Sequence, residues 1–186
     1  FYHEHPRTYS LTSFSMISKK INMSVIKYSF PKRYGGNIRV ILSKCIKKKN
    51  KFKKVINEKK FYKKILQLKK LIKIWKTNKR REILQMNQTY GPLPAKAFPG
   101  RAAILLKLLN LNNKNISAIY EKNASKKIGY FAPSTKIPIL PDVKLLKIDK
   151  KIPIINLAWH LDLEIKKYLR KIKVKNKVIT IVDKKD

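Results

Sequence analysis

The chain has 186 residues, room for one ordinary domain or for one with an accessory element, and its 46 basic against 10 acidic side chains give a net charge of +36. Cys45 is the single cysteine, so an internal disulfide is excluded, and no Cys/His pair near it has zinc-ligand spacing; a reducing, cytoplasmic setting is the expectation. No uncharged apolar stretch reaches the roughly 18 residues of a spanning helix, and the N-terminus lacks the basic and apolar regions of a signal peptide, so no membrane partner is expected.

Residues 1–5, Phe1-Tyr2-His3-Glu4-His5, hold two of the three histidines together with a carboxylate and a phenol. Three readings compete. His3 and His5, two apart on a strand, share a face, but two ligands are too few for a metal and the HExxH helix spacing is absent. A histidine titrating near neutrality, oriented by Glu4 and beside the Tyr2 hydroxyl, makes a proton-transfer unit. The third reading is a solvated chain segment.

Capping hydroxyls at Ser10, Thr12 and Ser13 ahead of Phe14, Met16 and Ile17 predict a short helix over residues 12–20. Val25, Tyr28 and Phe30 are strand-prone, and after Pro31 and Gly35-Gly36 the β-branched run at 37–42 predicts a second strand, giving a hairpin.

Residues 47–81 hold seventeen basic side chains and one acid, Glu58. Phe61, Ile65, Leu68, Ile72 and Trp75 recur at helical spacing, so this is a basic amphipathic helix. A connector packed on its own protein is the favoured reading; a membrane-surface helix and a calmodulin-like target are the alternatives. The charge alone suggests a polyanion partner through counterion release. Yet nearly all of it is Lys, with seven Arg, in a chain heavy in Ile and Asn, a mixture that AT-rich codons encode. No RNP-like, KH-like or helix-turn-helix pattern accompanies it, so nucleic acid is not the expected partner.

Residues 82–86 read as a short apolar strand, Tyr90-Gly91-Pro92 as a turn, and residues 101–111 as a helix with Ile104, Leu105, Leu108 and Leu109 inward. Strand, glycine turn and helix open a nucleotide-binding fold. Strands at 116–120, 137–139, 152–157 and 177–182, with a helix at 162–171, continue the alternation and predict a mostly parallel, Rossmann-like α/β sheet with flanking helices. Tyr90 and Gly91, followed by Lys96, Gly100 and Arg101 before a helix, are candidate phosphate-binding residues, with helix amides and two cations as the attraction. Thr89 stands where a G-x-G-x-x-G fingerprint has its first glycine, and an ordinary strand-to-helix turn is the competing reading.

Five motifs in order give the chain a family resemblance. Tyr2-His3-Glu4-His5 with Tyr9-Ser10-Leu11 resembles a YHEH…YFSL segment, and residues 34–40 resemble HGGSLRV, with Tyr34 and Asn37 in place of His and Ser. Tyr90-Gly91 resembles a domain-opening glycine turn. Residues 127–139 are similar to K-x-G-x-x-x-P-G-T-x-I-P-I, with Ser134 where Gly is usual, and Ala158-Trp159 to Glu164-Ile165 resembles AWNFADEI. The family is that of the S-adenosylmethionine-dependent sugar C-methyltransferases.

The resemblance implies three parts. Residues 1–46 correspond to the end of the methyltransferase domain, a β-hairpin remnant; 47–81 to the connector helix; and 82–186 to the C-terminal, nucleotide-sugar-binding domain. His5 is implied as the base that removes a proton next to a sugar ketone, Tyr2 and Glu4 as groups that orient it or stabilise the enolate, and Tyr90, Gly91, Lys96 and Arg101 as substrate-binding residues. The implied partner is a nucleotide-linked sugar, and the sequence leaves the oligomeric state open. S-adenosylmethionine and a structural zinc are expected in upstream modules that this sequence lacks, with no metal in the chain itself. A first residue other than Met suits a C-terminal fragment, and activity from this chain alone is not expected. A polyanion-binding module and a non-catalytic sugar-nucleotide-binding remnant are the competing functions.

Overall fold

The structure is a computed structural model and describes residues 8–31, 37–44 and 61–183. The chain divides into two compact units, residues 1–67 and 68–186.

In the first unit, α1 (Leu11–Lys20) opens on a reciprocal capping box. The Ser10 hydroxyl accepts the Ser13 amide at 3.2 Å and the Ser13 hydroxyl accepts the Ser10 amide at 3.3 Å, which satisfies two donors that a helix start leaves unpaired. Lys19 and Lys20 complement the negative end of the helix dipole. The following hairpin, β1 (Ser24–Ser29) with β2 (Arg39–Ser43), is antiparallel and carries a bulge between Val25 and Lys27. Leu11 and Val25 are the buried apolar side chains of this unit among the described residues.

A long helix, α2 (Phe61–Tyr90), runs through residues 82–86, where the sequence reading placed a strand. The helical stripe explains the difference. Trp75, Ile83 and Met86 sit at spacings that keep them on one face, and that face packs on the core of the second unit. Ahead of it the stripe is not covered: Phe61, Leu68 and Ile72 are exposed, so the expected packing of the connector holds only from Trp75 onward. Gly91 ends the helix with φ of +70°, its amide bonded to the Asn87 carbonyl at 2.9 Å, and Pro92 follows.

The true strand before the next helix is β3 (Leu93–Lys96), which the sequence hid behind Pro94. A proline in a central strand removes a ladder donor. Here the register with β4 shifts between Leu93 and Pro94, and pairing with β7 begins only at Ala95, so the missing amide falls where the ladder is already interrupted.

The chain continues as α3 (Gly100–Leu108), β4 (Ile116–Glu121), β5 (Phe131–Ala132) and β6 (Ile137–Pro141). A 3-10 segment (Asp142–Lys147), β7 (Ile154–Asn156), α4 (Asp162–Lys171) and β8 (Val178–Thr180) complete it. The six strands lie in the order β5-β6-β4-β3-β7-β8, parallel except for the β5–β6 hairpin. Both faces are covered, as an all-parallel core requires. Ile119 and Ile155 join Ala102, Leu106 and Ile83 on the face of α3 and α2. Their neighbours Ala118, Tyr120 and Ile154 join Leu145, Ile165 and Leu169 on the opposite face, beneath α4.

Candidate functional site

Taking the parallel strands in chain order, the sheet reads 3-2-1-4-5, so successive crossovers run outward in opposite directions from β3 and β7. In such sheets ligands bind beyond the carboxyl ends of the two strands at which the order reverses. Here that point is framed by residues 97–101 after β3 and residues 157–161 after β7.

The first turn is built by local constraints. The Ala97 amide still bonds the Tyr120 carbonyl at 3.0 Å, but φ of +65° at Ala97 then swings the chain off the sheet. Phe98 is buried, its amide bonds Glu121 Oε1 at 2.7 Å, and Lys127 Nζ bonds its carbonyl. Pro99 begins α3 without a side-chain cap, a good start for a helix because proline has no amide to waste. Arg101 lies in the first helical turn, where the dipole disfavours a cation unless an anion is also present.

The second turn holds Trp159 and His160, whose rings meet edge to face with centroids 5.4 Å apart. His160 is exposed, yet partial desolvation of its ring pushes the imidazole below its ordinary value, and the Arg101 charge pushes it further down; Glu164 partly opposes them. The Arg101 charge thus acts across the switch point on the second turn, and the downward shift favours the neutral imidazole. Beneath them, fully buried Asn156 accepts the Ala158 amide at 2.9 Å and donates to Asp162 Oδ1 at 3.3 Å. Thr180 donates to the same oxygen, and Lys166 pairs with Asp162 Oδ2 at 2.8 Å. Burial acts to raise the Asp162 carboxyl, but the hydrogen bonds from Lys166, Thr180 and Asn156, with the Lys166 charge, outweigh it and hold the group below the usual range. The strand ends β7 and β8 and the start of α4 are locked together by this network.

Of the four expected phosphate residues, Arg101 is at the switch point. Tyr90 and Gly91 precede β3 and belong to the opposite, N-terminal edge of that strand. Lys96 is 1 % exposed and paired with Asp142 Oδ2 at 2.8 Å, an oxygen that also accepts the Tyr168 hydroxyl at 2.7 Å. Burial, then the Asp142 bond and charge, push Tyr168 up to about 12. Lys96 thus ties β3 to the 3-10 segment and α4. Tyr2, Glu4 and His5 lie outside the described residues. His160, Phe98, Glu121 and Asn156 were not singled out from the sequence. The signal that could have found them is their place at strand ends, which becomes readable only once the strand order is known.

No three His, Cys, Asp or Glu side chains come together as a metal site among the described residues. The strand-to-helix turn at 97–100 contains one glycine, short of the G-x-G-x-x-G pattern, and its Phe98 is buried in the core. Nor is any helix among the described residues long and apolar enough to cross a membrane.

This architecture defines a doubly wound α/β domain whose candidate anion site is framed by Arg101 and His160. A family model for the C-methyltransferase C-terminal domain matches residues 32–182. The chain therefore belongs to that family, which points to a C-methyltransferase. No curated protein matches it.

Proposed function

We propose that the chain is the substrate-holding part of an S-adenosylmethionine-dependent C-methyltransferase acting on a nucleotide-linked keto-sugar, with the diphosphate seated at the switch point. The family match over residues 32–182 supports this reading, and Arg101 in the first turn of a helix at the strand ends supports the switch point as the seat. Arg101 and the first-turn amides of α3 offer charge-assisted hydrogen bonds to phosphate oxygens. Neutral His160 offers one further donor without adding a fixed charge. His5 is the proposed base: its imidazole takes the proton from the carbon beside the ketone, while Tyr2 and Glu4 orient it or stabilise the enolate. S-adenosylmethionine is the methyl source in this reading and is held by other parts than the described residues.

Titration calorimetry with deoxythymidine diphosphate and uridine diphosphate tests the location. Arg101→Ala is expected to weaken binding at least tenfold, since a hydrogen bond to a charged group contributes about 1.5–3 kcal/mol. Equal affinity in the variant would remove the switch point as the diphosphate site. A second reading, polyanion binding, draws on a cleft of about 570 Å³ lined by Lys166, Arg170, Lys173, Lys175 and Lys177 at the end of α4 and the start of β8. It requires RNA or DNA affinity that falls steeply with salt, with a slope reduced by charge removal at Lys173 and Lys175.

A further inference from the structure

Glu121 is one of only ten acids in the chain, and it stands beside the turn proposed to hold an anion. An unpaired carboxylate there would repel phosphate. Instead it is occupied twice, accepting the Phe98 amide at 2.7 Å and lying 4.0 Å from Lys127 Nζ, whose charge offsets its own. Lys127 in turn bonds the Phe98 carbonyl and lies 5.8 Å from the centre of the Phe98 ring.

The backbone explains why such a device is required. The β3 ladder ends at Lys96, and the positive φ of Ala97 takes Phe98 away from β4, so the sheet cannot serve its polar atoms. The helix does not serve them either: its first bond runs from the Ala102 amide to the Pro99 carbonyl at 2.8 Å. Both main-chain polar groups of one buried residue are therefore held by two side chains that are themselves a charge pair. Glu121 is anchored on the frame, as the last residue of β4 and in register with Pro141 of β6. Lys127 comes from the β4–β5 connection.

We propose that Glu121 and Lys127 are a positioning pair: they clamp Phe98 and so set the first turn of α3, with Arg101, against His160 at the switch point. The proposal rests on the diphosphate reading for its purpose, but not for its geometry, and the two are separable by experiment. In the 186-residue chain, the imidazole of His160 is followed by NMR against pH, its signal identified by loss in His160→Gln. Deoxythymidine diphosphate binding is measured in parallel by calorimetry.

In Glu121→Ala and Lys127→Met the turn is released and Arg101 moves away, so the His160 titration shifts upward toward the ordinary histidine value. Diphosphate affinity is expected to drop about tenfold. Glu121→Gln keeps an oxygen for the Phe98 amide and is expected to retain the wild-type His160 titration, a rescue that loss of stability alone does not produce. An unchanged His160 titration in folded Glu121→Ala or Lys127→Met overturns the positioning role, even if diphosphate binds the wild type. A shifted titration with no diphosphate binding to any variant or to the wild type supports the positioning role and removes the diphosphate reading instead. Should Glu121→Ala fail to fold, Lys127→Met and Glu121→Gln carry the same comparison.

Discussion

Lys96 shows how residue type and residue role separate. A lysine four residues before a helix start reads as a phosphate ligand, yet 1 % exposure and a 2.8 Å bond to Asp142 make it a tie between layers. Desolvating both charges offsets most of their attraction, so the pair adds little net stability, but breaking it leaves a charge stranded in the sheet. Asp142→Ala, which also orphans the Tyr168 hydroxyl, is expected to cost about 3–5 kcal/mol by urea unfolding. The double change Lys96→Met with Asp142→Leu should recover most of that loss, because it removes both charges at similar volume. A double variant as unstable as the single one would show that the hydrogen-bond geometry, not the stranded charge, sets the cost.

At the scale of elements, the β5–β6 hairpin explains the motif at residues 127–139. Gly129, at φ of +89°, leads into β5 with its amide on the Ile139 carbonyl at 3.0 Å, at the open end of the hairpin. Thr135 bonds the Ala132 carbonyl through its hydroxyl at 2.7 Å and accepts the Ile137 amide at 3.2 Å. Ser134, where the family pattern has glycine, sits at φ of +61°, a region costly for a residue with a Cβ. Ser134→Gly is therefore expected to stabilise the domain by about 0.5–1 kcal/mol, seen as a higher urea midpoint at unchanged slope. No gain would mean that the Ser134 side chain contributes as much as its strain costs.

The same scale shows which elements the sequence could and could not yield. α4 has the predicted bounds, because Ile165 and Leu169 repeat on one face and Asp162 and Glu164 fill its first turn. α1, β1 and β2 follow from capping hydroxyls and β-branched runs within a residue or two. Residues 82–86 misled because a five-residue apolar stretch has no period of its own; its helical identity comes from Trp75 before it and Asn87 after it. Asn87 spans the gap from the end of α2 to the loop before β4, donating to the Gly91 and Asn115 carbonyls at 3.0 and 2.9 Å. Such a clamp between residues 28 apart leaves no local trace.

Over the whole molecule, a charge of +36 acts on stability whatever its origin. The ion pairs of Lys79 with Glu82, Lys96 with Asp142, Lys127 with Glu121 and Lys166 with Asp162 consume acids from a set of ten, so repulsion among the remaining cations dominates. The screening length falls from about 10 Å at 0.1 M salt to about 3 Å at 1 M. The melting temperature is therefore expected to rise with sodium chloride over that range, and a fall would show that the favourable pairs outweigh the repulsion.

Periodicity alone determined a mostly parallel α/β sheet with flanking helices from β4 onward, though it put the opening strand inside α2 and missed β3, because a short apolar stretch carries no period of its own. Motif order alone determined the family. The strand order was decided only by tertiary structure, since parallel pairing joins residues far apart in the chain, and the switch point, with Arg101 and His160 on its two turns, follows from it. Lys96 and Arg101 are both cations near one helix start. Lys96 ends β3 with its side chain buried against Asp142, whereas Arg101 sits in the first turn of α3 beyond the strand end, a difference that exists only once β3 has neighbours.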